Sequence, residues 1–330
     1  MSDITAVVLS IGEPYTERAI ASVRRQTLPP DDIIVVRGIS PFHRALNAGA
    51  AQVQTPFFVQ VDADVIFDST CLEELRGRMC DGLGLVSGLL RDPVIGRAQG
   101  IRLYRTQCFE HVQIRDSISP DMDFGIDIRR HGWVRLYALK YQGERRDQWH
   151  TFGDHRPDYT PHYTFCKFLL EGVRTRYRRH EGRVRIFQQL QRSEHSATTI
   201  ALIALAHGLF LREERDLLVP YQRTAEFELL EAFLAASGDH LGTAVQADEA
   251  DRDPRARFKR AYELGRHYRR RGASSAFLAR LQQLKQQTDL DSWLTLVGMC
   301  HGLFHHQHRD AEPDEAYASL AEILAEGAPW

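Results

Sequence analysis

The segment FFVQVDADVIF, from Phe57 to Phe67, decides how the first half of the chain is read. It is apolar and rich in β-branched and aromatic residues, as a buried strand is, yet it carries two carboxylates, Asp62 and Asp64. Burying a carboxylate without a partner is expensive, so both require a reason. Upstream lie two more short apolar runs of strand type, ITAVVLSI (4–11) and DDIIVVRG (31–38). Between the three runs, PYTERAIASVRRQ (14–26) and FHRALNAGAAQV (42–53) place apolar residues at helical spacing. The order is β-α-β-α-β, which implies an α/β fold with a mostly parallel sheet. In such sheets ligands bind beyond the carboxyl ends of the strands. Asp62 and Asp64 fall at that edge, and on an extended strand they point to the same side. Two carboxylates there suit a hard divalent cation, Mn²⁺ or Mg²⁺, and such a metal can hold a diphosphate.

Further along, STCLEELRGRM (69–79) reads as a helix opened by a Ser69 cap, followed by strand-like GLVSGLL (84–90) and GIRLYRT (100–106). From about Phe165 the pattern is helical only. There, residues 185–216 lie over residues 279–310 at a constant offset of 94. Gln-Gln-Leu recurs at 188–190 and 282–284, His-Gly-Leu at 207–209 and 301–303, and Phe210 matches Phe304. We therefore expect an N-terminal α/β domain over 1–164, a helical unit over 165–235, a linker over 236–257 and a second helical unit over 258–330. Stacked repeats bury apolar faces on each other. His207 and His301 are expected to bond within the helix packing of each unit. Histidines at i, i+4 in HGLFHHQH (301–308) have the spacing of a metal pair, but the first copy has Leu211 in place of His305, which argues against that use. The arginine-rich run RTRYRRHEGRVR (174–185) reads as a solvated helix face.

Composition bounds the function classes. At 330 residues, 43% hydrophobic and 26% charged, the chain is of globular type. A net charge of −2 gives no overall attraction to nucleic acid or anionic membrane. Five scattered cysteines without a CxxC pair argue against a zinc ribbon or disulfide framework and fit a reducing compartment. The first residues lack the basic start of a signal peptide. The longest apolar run, TTIALIALAHGLFL (198–211), has 14 residues, which suits a buried helix rather than a membrane span. A cytoplasmic protein, in solution or peripheral at a membrane, is the expectation.

Four segments, in order, resemble the GT-A fold of family 2 glycosyltransferases. VVLSIGEPYTERAIASVRRQ (7–26) is similar to the family's first strand and helix, with its recurring Ser22 and Gln26. RALNAGAAQVQTPFFVQVDADV (44–65) resembles its nucleotide-binding helix and DxD strand, DMDFGIDIRRHGW (121–133) its catalytic-base segment, and HTFGDHRPDYTPHYTFCKF (150–168) its histidine-containing tail. The resemblance covers residues 4–180. It implies a nucleoside-diphosphate sugar donor, a divalent cation and an inverting transfer to an acceptor that is a sugar, a lipid-linked group or a protein. On it, Asp64 and His155 bind the metal, with His150 the competing histidine. Asp62 contacts the ribose or the metal shell, Ser10 and Glu13 the nucleotide base, and Arg44 and Asn47 line the donor site. Asp121 falls on the catalytic base, with Asp123 and Asp127 as runners-up. The chemistry needs such a carboxylate to take the acceptor hydroxyl's proton.

Two positions depart from the family pattern. Arg37-Gly38 stand where it has an Asp-Asp-Gly-Ser segment, and Pro120 stands where it has Glu. Two rivals therefore stay open: a nucleotidyl- or phosphoryl-transferase on the same scaffold, and a non-catalytic GT-A-like scaffold. The helical region is expected to shape the acceptor site or to mediate homo-oligomer formation.

Overall fold

The computed structural model describes residues 2–138, 150–177, 182–211, 225–236, 253–287, 289–305 and 311–325. The chain forms two compact units, Met1–Pro157 and Asp158–Trp330.

The first unit opens with β1 (Ile4–Ser10), α1 (Thr16–Arg24), β2 (Asp32–Arg37), α2 (Phe42–Ala50) and β3 (Phe57–Asp62). There follow β4 (Val65–Phe67), α3 (Cys71–Arg76), β5 (Leu83–Asp92), β6 (Gly96–Arg105), α4 (Pro120–Asp127), β7 (Val134–Tyr137) and β8 (Gly153–His155). The sheet order is β2-β1-β3-β6-β5-β8-β4, with β7 also paired to β5. β1 pairs in parallel with β2 and β3, so the β-α-β-α-β reading of the first 62 residues matches the structure. Beyond β3 the sheet is mixed: β6 runs antiparallel to β3 and β5, and β4 antiparallel to β8.

Alternation along the strands sends side chains to two cores. Ile4, Ala6 and Val8 of β1 and Phe57, Val59 and Val61 of β3 pack with α1 and α3 residues such as Ile20, Val23, Leu72 and Leu75. Val7, Leu9 and Phe58 pack on the other face with Leu46 of α2 and Phe124 of α4. Gln60 and Asp62 therefore share the Phe58 face, the one that α4 covers. The cap expected at Ser69 is not made. Thr70 occupies the cap position of α3, and its hydroxyl donates to Glu74 Oε1 at 2.9 Å.

The second unit is helical: α5 (Pro161–Tyr177), α6 (Gly182–Arg192), α7 (Thr198–Gly208), α8 (Ala225–Ala235), α9 (Pro254–Arg271), α10 (Ser274–Lys285), α11 (Leu290–Phe304) and α12 (Pro313–Ala325). α9 begins inside the span read as linker, because Asp253 caps Arg255 N and Pro254 occupies the first turn. Residues 237–252 of that span, residues 178–181 of the arginine-rich run and residues 306–308 of HGLFHHQH lie outside the described residues.

Two helix crossings in this unit are built alike. A Cβ on Gly208 of α7 would lie 2.2 Å from Leu169 O of α5, and one on Gly302 of α11 would lie 1.9 Å from Tyr262 O of α9. Conversely, a Cβ on Gly172 would meet Leu205 O at 2.3 Å, and one on Gly265 would meet Met299 O at 2.0 Å. Each pair of backbones approaches closely only because both crossing residues lack a side chain.

α11 also meets rings from α7 and the turn after it: His207 lies tilted against Phe304 with centroids 4.7 Å apart, and His301 against Phe210 at 4.4 Å. The histidines thus pack across the two helical segments. The expectation that each bonds within its own unit fails for His207 and holds for His301. His301 Nε2 does find an acceptor, Ala311 O at 2.8 Å. Neither ring nitrogen of His207 has one among the described residues. Burial, assisted by the charge of His305, pushes His207 down to about 3, so it packs as a neutral ring.

Candidate active site

β3 stops at Asp62, and Ala63-Asp64 turn the chain into β4. Strand alternation therefore does not govern Asp64, contrary to the expectation that the two carboxylates share a side for that reason. Each has its own surroundings. Asp62 Oδ1 accepts from Gln60 Nε2 at 2.9 Å. Asp64 is pinned through its backbone, since Arg156 N donates to Asp64 O at 2.7 Å. The antiparallel β4–β8 pair sets Val65 opposite His155, and His155 Nε2 lies 3.3 Å from Asp64 Oδ2. His150 points elsewhere, with Nε2 3.2 Å from Glu74 Oε2.

Desolvation, with the charge of Asp64 added, pushes the Asp62 carboxyl up to about 6, against the opposing pull of the Gln60 hydrogen bond and Arg102. The folded protein then binds more protons than the unfolded chain between about pH 4 and pH 6. Stability falls as pH rises through that window, by at most about 3 kcal/mol at 1.36 kcal/mol per unit. Asp62→Asn is expected to raise the unfolding free energy of the metal-free protein at about pH 8, with little gain near pH 4. Urea titrations in a chelator at the two pH values test this, and an equal effect at both would contradict it.

Asp121 sits in the first turn of α4 and pairs with Arg102 of β6, whose side chain is 9% exposed. Burial opposes the Arg102 cation, but the neighbouring charge of Asp121 and the weaker one of Asp62 hold its pKa above the ordinary arginine value. Arg102 Nη1 also lies 3.5 Å from Gln60 Oε1. Asp121 of α4, Arg102 of β6 and Gln60 and Asp62 of β3 thus form one polar row, and the Tyr104 hydroxyl donates to Gln60 Oε1 at 3.2 Å. Of the runners-up, Asp127 is engaged by Arg115 at 2.8 Å and Arg130 at 3.2 Å. Asp123 is half-buried on α4.

The other expected donor-site residues are partly engaged. Ser10 donates to Glu13 Oε2 at 3.0 Å, and Ile11 N donates to the same oxygen at 2.8 Å, so the pair closes the β1–α1 loop. Asn47 Nδ2 donates to Ile114 O at 2.9 Å and its Oδ1 accepts from Ile114 N at 3.0 Å, which ties α2 to the segment before α4. Arg44 is exposed on α2. Arg37, a departure from the family pattern, pairs with Glu17 at 3.1 Å.

Sequence reading missed Asp92, Gln60 and Arg102. Asp92 stands in RDPVIG (91–96), among residues of ordinary turn type, and carries no local signal of its own. Arg102 had a usable signal, because a cation among the apolar residues of GIRLYRT raises the same question as Asp62.

Asp64 Oδ2 and His155 Nε2 at 3.3 Å fit neighbouring positions around one divalent cation, whose ligand bonds are about 2.1 Å. Among the described residues, no group of three or more His, Cys, Asp or Glu side chains forms a metal cage. A cation there needs ligands from outside those side chains, such as water or phosphate, as Mg²⁺ commonly has.

No protein-family model and no curated protein matches the chain. Solved structures do. The mannosyltransferase PcManGT from Pyrobaculum calidifontis, in complex with GDP-Man and Mn²⁺, is 12% identical, with 99% of this chain and 88% of that one covered and a TM-score of 0.41. S. aureus TarS 1-349 in complex with UDP is 11% identical over 90% of both chains, with a TM-score of 0.37. No helix among the described residues is long and apolar enough to cross a membrane.

Proposed function

We propose that the chain is a metal-dependent, inverting glycosyltransferase that uses a nucleoside-diphosphate sugar. The observation that carries this reading is the placement of Asp62, Asp64 and His155 at the carboxyl end of β3, with Asp121 joined to them through Arg102 and Gln60. Asp64 and His155 would hold a Mn²⁺ or Mg²⁺ ion, which would supply positive charge to neutralise the departing diphosphate. Asp62 contacts the ribose or the metal shell. Ser10, Glu13 and Arg44 face the nucleotide, and Asn47 holds the helix that lines it.

Asp121 Oδ accepts the proton of the acceptor hydroxyl as that oxygen attacks the anomeric carbon. The bond from that carbon to the diphosphate breaks on the opposite side, and the configuration inverts. Arg102 orients the Asp121 carboxylate. The helical unit is read as a duplication that shapes the acceptor side or supports assembly. The matching glycine crossings and the reciprocal His–Phe contacts support the duplication alone.

A thermal-shift screen of nucleotide sugars with and without Mn²⁺ tests the donor class, because a ligand of the folded state raises apparent stability. A donor at 100 times its Kd is expected to add about 2.7 kcal/mol, and only with the metal present. Release of a nucleoside diphosphate is expected. Release of pyrophosphate would favour nucleotidyl transfer, and metal-independence of every nucleotide tested would favour a non-catalytic scaffold.

A further inference from the structure

Asp92 ends β5, at the tip of the β5–β6 hairpin, and its side chain is completely buried. Its Oδ1 accepts from Val94 N at 2.8 Å and from Ile95 N at 2.9 Å, so the carboxylate is locked to the turn. Its Oδ2 lies 2.6 Å from His155 Nδ1. An ionised carboxylate only accepts hydrogen bonds, so with Asp92 ionised the proton in this contact is on Nδ1. The other ring nitrogen, Nε2, is the atom 3.3 Å from Asp64 Oδ2. The backbone holds the same alignment: β8 pairs with β4 through Val65 and His155, and with β5 through Arg91 and Asp154.

We propose that Asp92 is a positioning residue that fixes the tautomer and ring orientation of His155, presenting the Nε2 lone pair to the divalent cation shared with Asp64. This rests on the metal reading above. A carboxylate on the far nitrogen of a metal-binding histidine orients the ring and raises its basicity, and removing one commonly weakens metal binding 10–100-fold. The alternative is that Asp92 serves the hairpin turn alone. Asp92→Asn separates the two. The amide oxygen still accepts from Val94 N and Ile95 N, but its NH₂ now faces His155 Nδ1. That arrangement favours the opposite tautomer, with the proton on Nε2, where the cation would bind.

The experiment titrates Mn²⁺ alone into the full chain and into the Asp92→Asn, Asp64→Ala and His155→Ala variants, reading free Mn²⁺ by electron paramagnetic resonance. Binding is expected in the wild type, loss of binding in Asp64→Ala and His155→Ala, and a 10–100-fold weaker Kd in Asp92→Asn. Nitrogen-15 NMR of the His155 ring with Mg²⁺ at about pH 8 is expected to show a protonated Nδ1 in the wild type. Should Asp64→Ala and His155→Ala bind Mn²⁺ as the wild type does, the metal reading fails and this inference with it. Should those two lose the ion while Asp92→Asn keeps wild-type affinity, the metal reading stands and Asp92 serves the turn alone. A neutral His155 protonated on Nε2 in the wild type overturns the inference even if Asp92→Asn does not fold.

Discussion

Asp121→Asn is expected to abolish sugar transfer, a loss of at least about 100-fold in turnover if Asp121 is the base. The same substitution is expected to lower stability, because Asp121 is the direct ionic partner of a cation that is 9% exposed. Breaking a buried pair from one side costs about 3–5 kcal/mol, and the neighbouring Asp62 places this case toward the lower end. The single variant therefore confuses lost chemistry with lost folding. Asp121→Asn combined with Arg102→Met resolves it. Removing both charges is expected to recover most of the stability, read by urea unfolding, and none of the transfer, read by product formation. Asp64→Ala is expected to abolish transfer and Mn²⁺ binding together while the fold persists. Full activity in Asp121→Asn or in Asp64→Ala would sink the assignment of that residue.

Gly302→Ala is expected to be the most disruptive small substitution in the helical unit. Helix propensity alone favours alanine over glycine by about 1 kcal/mol. Here the added Cβ would sit 1.9 Å from Tyr262 O, a main-chain atom that cannot rotate away. The α9 and α11 backbones must separate, which loosens packing along two long buried faces. Overpacking of this kind typically costs 1–3 kcal/mol and occasionally more, and a net loss of about 2–4 kcal/mol is expected in denaturant titration. Gly208→Ala meets Leu169 O at 2.2 Å and is expected to lose a similar amount. Equal losses would support the duplication reading, and a Gly302→Ala protein as stable as the wild type would contradict the close crossing.

The first three strands and two helices were legible because each announces itself locally. β1 and β3 are continuous apolar runs with both faces buried, and α1 and α2 carry their buried residues at helical spacing. The helical second half was legible for the same reason, as in the wholly buried stretch Leu202–His207 of α7. β4, β7 and β8 were not. They have only three or four residues, and Gly153-Asp154-His155 has no strand pattern of its own. Their pairing partners make them strands, and a partner's position is not written in the segment itself.

The same division runs through the candidate site. The sequence by itself determined which residue types stand at the end of β3 and the β-α-β-α-β order that brings that end to a sheet edge. Tertiary structure alone decided which groups meet there. It set His155 rather than His150 beside Asp64, put Asp92 behind His155 from 63 residues away, and joined Asp121 to Arg102. The physical reason is range. Burial and periodicity act within a few residues and leave a mark on composition. A hydrogen bond between side chains on different strands depends on register and on the turn at Ala63-Asp64, which only the assembled sheet fixes.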